Sequence, residues 1–126
     1  MPDPLHSRAP VGKALAVAVW AVYVAGMLFF ALGPFTVATG VHHGDKMLHI
    51  LAFAGMALLF PWPVTWPRLW MAALTVVALA AGIEIIQDFS PAYGRHPDLV
   101  DFLAGVVGGS AGLAARLALA AHKERG

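Results

Sequence analysis

The chain has 126 residues, the length of one domain, with 60% hydrophobic residues, 12% charged residues and a formal net charge of +1. A soluble domain is nearer half apolar and a quarter charged, so the composition points to an integral membrane protein. No basic cluster suggests nucleic acid, and the absence of Cys excludes disulfides, thiol catalysis and Cys-ligated metals.

Four apolar runs follow one another. Ala14 to Phe35 carries no charge. It is longer than the core of a signal peptide and no convincing small-x-small cleavage site follows it, so it is read as a retained first helix over 14–35. The second run starts at Met47, contains His49, and meets Pro61, Pro63 and Pro67, which are taken to mark the membrane exit; the expected helix is 47–66. The third, from Leu69, continues through Glu84 and Gln87 and predicts a helix over 69–88. The fourth contains Gly105, Gly108 and Gly112 and predicts a helix over 99–121. About 20 residues cross the hydrocarbon core as a helix, and no strict alternation suggests a barrel. The expected fold is all-α, a single domain built as a four-helix transmembrane bundle.

Basic residues orient it. Arg8, Lys13, Arg68, Arg116, Lys123 and Arg125 fall on one side of such a bundle, and only Lys46 and Arg95 on the other. The excess marks the cytoplasmic side, so both termini are expected inside. Asp45, Glu84, Asp88, Asp98 and Asp101 then gather with Lys46, His49, Gln87, Arg95 and His96 at the outer ends of helices or in the outer loops.

Spacing sharpens this grouping. Asp45 and His49 are four apart, Lys46 and His49 three, Glu84 and Gln87 three, and Asp98 and Asp101 three, so each pair shares a helical face. Below Asp101, Gly105, Gly108 and Gly112 form one stripe that lets another helix approach closely. Asp101 is therefore expected to face the bundle interior, towards Glu84 and His49.

The stretches "DKMLH" at 45–49, "EIIQ" at 84–87 and "GRHPDLVDFLAGVVGGSAG" at 94–112 agree in order and placement with a known pattern. Over residues 45 to 112 the chain resembles the VanZ-like family of small bacterial membrane proteins. Gly105 stands where that family usually carries Asn. The resemblance implies a cell-envelope role in the plasma membrane, near cell-wall precursors or lipid carriers. It does not carry a reaction with it, since a fold does not fix a function.

Two readings of the polar residues stand side by side. As structural ties, Asp45, Lys46, Asp88 and Asp98 cap and pair helix ends, with Asp45 capping the second helix. As a site, Lys46, His49, Glu84, Gln87, Arg95 and Asp101 bind an anionic head group, with Arg95 the natural phosphate reader. The expected partners are membrane lipid and envelope or cell-wall synthesis proteins. His49, Glu84 and Asp101 are also the candidate catalytic groups of a lipid-carrier enzyme using acid–base chemistry. A purely structural partner subunit is the further alternative. No cofactor or metal is assigned. His49, Glu84 and Asp101 have ligand types that suit zinc, but no signature such as HExxH accompanies them. His42 and His43 are adjacent and share no helix face. Trp20, Trp62, Trp66 and Trp70 read as packing groups or interface anchors.

Overall fold

The computed structural model describes residues 8–34, 43–90 and 96–126. Within these residues the chain is all-α, with four helices: α1 (Arg8–Leu32), α2 (Gly44–Leu58), α3 (Leu69–Phe89) and α4 (Leu99–Lys123). Three stretches are long and apolar enough to cross a membrane, namely Val11–Leu32, Trp66–Phe89 and Leu99–Lys123. Large side chains such as Val22, Phe29, Leu51, Leu74, Ile85, Val107 and Leu119 are exposed around the outside. Such a surface is suited to lipid and not to water.

The second helix departs from expectation. It begins at Gly44 and stops at Leu58, not at residue 66. Its 15 residues reach only about 22 Å, short of the roughly 30 Å hydrocarbon core. The cause is Pro61: proline has no amide to donate, and it disfavours helical backbone at the residue before it, Phe60. The apolar character runs on past the helix end, which is why hydropathy overshoots. Residues 59–65 then continue as irregular chain, with Phe60 and Val64 buried. A three-residue 3-10 turn at Trp66–Arg68 leads into α3.

Irregular backbone inside an apolar bundle needs its carbonyls satisfied. Arg116 of α4 does this: its Nη1 donates to the Leu58 carbonyl at 2.8 Å and its Nη2 to the Trp62 carbonyl at 3.3 Å. Sequence reading counted Arg116 only as a topology marker. The first helix ends at Leu32, ahead of Gly33 and Pro34, for the same reason that α2 ends early. Phe35, the expected last residue of that helix, lies outside the described residues.

The tightest seam is between α2 and α4. Gly108 lies so close to α2 that an added Cβ would strike the Ile50 carbonyl oxygen, and at Gly112 it would stand 2.8 Å from the Ala57 Cβ. At Gly105 it would stand 3.1 Å from the Phe53 ring. Gly109 turns the other way and receives Val76 of α3, a role the sequence reading missed. The core is Phe53, Met56 and Ala57 of α2 with Ala72, Val76, Ala80 and Ile83 of α3 and Leu113 of α4.

The first helix leans on this trio through specific hydrogen bonds. Trp20 Nε1 donates to the Met56 carbonyl at 3.1 Å, and the Tyr23 hydroxyl donates to the Ala52 carbonyl at 3.0 Å. Trp20 also meets Phe60 and Trp62 edge-on. Trp66 and Trp70, by contrast, are 78% and 64% exposed, as interface anchors would be.

Candidate functional site

The start of α2, the last turns of α3 and the start of α4 meet at one end of the bundle, and the polar residues meet there with them. Lys46 is the centre. Its Nζ donates to Asp101 at 2.8 Å, Asp98 at 2.9 Å and Asp45 at 3.0 Å. Each ammonium proton thus has a carboxylate. Of the two kinds of partner expected for Lys46, an anionic ligand or carboxylates of the chain itself, the carboxylates occupy it.

Asp98 is the N-cap of α4, where its side chain accepts from the Val100 amide at 2.8 Å. The Lys46 ammonium, and then that amide, hold the Asp98 carboxyl below the usual carboxylate range. Glu84 reaches across from α3 and accepts from the Asp98 amide at 2.7 Å. A carboxylate on α3 therefore fixes the entry of α4. Asp45 is not the cap of α2: the capping position is His43, with φ at 63° and no side-chain cap. Asp45 sits in the first turn, where its charge complements the helix dipole.

His49 lies one turn further in. Its Nδ1 is 3.1 Å from the Asp45 carbonyl oxygen. A carbonyl only accepts, so Nδ1 donates this bond, and Nε2 is the ring nitrogen left for another partner. Nε2 is buried and has no hydrogen-bond partner among the described residues. One ligand atom each from His49, Glu84 and Asp101 lie within 4.8 Å of one another. The three residues predicted to converge from spacing and the glycine stripe are therefore together. Gln87 has another task. It is buried, and its Nε2 donates to the Ala31 carbonyl at 3.0 Å, tying the end of α3 to the end of α1. Arg95, the expected phosphate reader, and His42 lie outside the described residues, while Asp88 is exposed.

Beside the cluster is an open cavity of about 620 Å³ between α1 and α2, with Ile83 of α3 also in its lining. Its walls are apolar: Val22, Met27 and Phe30 from α1, and Leu48, Ala52 and Phe53 from α2. Its polar lining is Asp45, His49 and Tyr23, and the Tyr23 hydroxyl is already bonded to the Ala52 carbonyl. His49 therefore belongs both to the carboxylate cluster and to the cavity.

The chain matches no protein-family profile, no curated protein and no solved structure.

Proposed function

We propose that the chain is a multi-pass protein of the bacterial plasma membrane that binds an envelope lipid. The hydrocarbon part lies in the cavity between α1 and α2, and the anionic head group, a lipid phosphate or cell-wall precursor, lies at the outer, polar end. The carrying observation is the cavity itself, apolar along its walls and ending at His49 and Asp45. Such an amphipathic lining suits an amphiphile better than a wholly polar solute. The resemblance of the 45–49, 84–87 and 94–112 stretches to the VanZ-like family supports the envelope setting. Lys46 is committed to carboxylates, so Arg95 and the His49 edge are the groups left to read the head.

The test is a lipid extract of protein purified in mild detergent, compared by mass spectrometry with the bulk membrane. An anionic prenyl or phospholipid should be enriched. Gly26 lines the cavity, and a Cβ placed there meets nothing within 4 Å, so Gly26→Phe projects into the open space. It should lower lipid retention at least about tenfold while leaving the thermal unfolding midpoint in place. Equal retention by wild type and Gly26→Phe, or no enrichment, would overturn the reading.

Orientation is the second part. With both termini inside, reporter fusions after residue 42 and after Tyr93 should register the outer side, and one at Arg68 the cytoplasm. The opposite pattern would put the polar cluster on the cytoplasmic face and remove it from cell-wall precursors.

One observation favours a catalytic version of the same reading. An imidazole grouped with two carboxylates is an acid–base arrangement, which would suit transfer chemistry on a lipid carrier. Turnover of the retained lipid, abolished in His49→Ala, separates an enzyme from a binding protein.

A further inference from the structure

We infer that His49, Glu84 and Asp101 form a binding site for a divalent transition-metal ion of the zinc class. Three independent features of the chain carry this. The donors are one imidazole and two carboxylates, drawn from three different helices, with ligand atoms within 4.8 Å of one another. A zinc ion with bonds of about 2.0–2.1 Å holds its ligands roughly 3.3–3.5 Å apart, so small side-chain rotations close the set. Three protein ligands with a fourth position open is the arrangement of a zinc that meets a substrate.

The second feature is the state of His49. Its Nδ1–H is donated to the Asp45 carbonyl, while Nε2 is buried with no partner among the described residues. A ligating histidine typically donates its other ring N–H to a carbonyl or carboxylate, which fixes the tautomer and aims the lone pair at the metal. A buried ring nitrogen left without a hydrogen-bond partner is costly.

The third feature is charge. Asp45, Asp98 and Asp101 surround the Lys46 ammonium, and Glu84 adjoins them through the Asp98 amide, so among the described residues one ion-paired ammonium stands against four carboxylates. The Asp101 side chain is only 16% exposed. A dication beside Asp101 and Glu84 offsets two of the negative charges that the described carboxylates bring together. The imidazole donor selects against magnesium and calcium, which prefer oxygen alone.

Because His49 also lines the cavity, the open position lies beside the head group of a bound lipid. An anionic head would coordinate the ion directly, which explains how so acidic a cluster receives an anion. This last step rests on the lipid reading above; the metal site does not.

The experiment uses the full chain in detergent, stripped with a chelator and desalted. Zinc is titrated by calorimetry and counted by elemental analysis. Wild type should retain about one ion per chain, and a tenfold excess of magnesium should leave it in place. A cobalt substitute should show the visible bands of a tetrahedral site with nitrogen ligation. His49→Ala and Glu84→Gln should each weaken zinc at least about a hundredfold. Asp88→Asn, altering an exposed carboxylate outside the cluster, should bind as wild type does. If His49→Ala fails to fold, His49→Gln and the upward shift of the wild-type unfolding temperature on adding zinc replace it. Failure of wild type to bind zinc, or equal binding by the His49 variants, would overturn the site. Lipid retention is measured on the stripped and zinc-loaded protein. Zinc bound at the three residues with no lipid enriched sustains the metal site and ends the lipid reading, whereas lipid retained without zinc binding does the reverse.

Discussion

Gly108→Val should abolish the folded state, with the protein lost to aggregates on size-exclusion chromatography in detergent. At this position α4 touches the backbone of α2, since an added Cβ would meet the Ile50 carbonyl oxygen and stand 2.7 Å from the Ile50 Cα. A side chain can rotate away from a clash; a helix backbone cannot. The two helices would have to separate along their whole contact. That separation would uncouple Phe53, Met56 and Ala57 from the core they share with α3 and α4. Overpacking of a tight core commonly costs about 1–3 kcal/mol, and a clash with backbone lies beyond that range. Helix propensity pulls the other way, because replacing Gly in a helix interior with a residue that has a side chain gains up to about 1 kcal/mol. Gly82 isolates that contribution. It lies inside α3 with nothing within 4 Å of an added Cβ. Gly82→Ala should therefore raise the unfolding midpoint slightly or leave it unchanged. Loss of folded yield in Gly82→Ala comparable to Gly108→Val would mean that general glycine flexibility, and not the α2–α4 seam, is what the fold requires.

Lys46→Met should destabilise the protein on the order of 2 kcal/mol. The substitution keeps most of the apolar stem and removes the only cation that the described residues place among Asp45, Asp98 and Asp101. The exposed partners suffer least, because water solvates Asp45 and Asp98, whose side chains are 61% and 41% exposed. Asp101, at 16%, is the costly one. Lys46→Arg should recover only part of the loss. A planar guanidinium engages one carboxylate with both prongs and cannot aim three protons in three directions. Adding Asp98→Asn to Lys46→Met should restore part of the midpoint, since Asn removes a charge and still caps α4. Thermal unfolding in detergent reads all four proteins. A Lys46→Met variant as stable as wild type would show that the three carboxylates are solvated without it.

The helices themselves were legible in the sequence, because each is a long, mainly apolar run whose charges lie toward its ends. The end of α2 was not: hydropathy continues through Phe60, and the prolines were read as the membrane exit, not as the stop of a shorter helix. The convergence of His49, Glu84 and Asp101 could be read from i,i+3 and i,i+4 spacing with the glycine stripe. Which acid takes which donor could not. Lys46 chooses Asp98 and Asp101 more than fifty residues away, and Glu84 spends one oxygen on a backbone amide. Such pairings depend on helix rotation, to which residue types are blind. Gly105 shows the same limit. An Asn was expected there by resemblance, and the space is filled instead by the ring of Phe53.

The pairing of α2 with α4 also sets an order in time. The α2 helix is too short to cross a bilayer alone, and the helix it packs against most tightly, α4, is made after α3. Until Gly108 and Gly112 emerge, α2 has no seam to enter, Leu58 and Trp62 have no Arg116 to receive their carbonyl oxygens, and Lys46 has neither of its distant acids. The nascent chain therefore carries an unpartnered α2 through the synthesis of α3. That helix finds its seam only when α4 arrives, so truncation within α4 strands two helices rather than one.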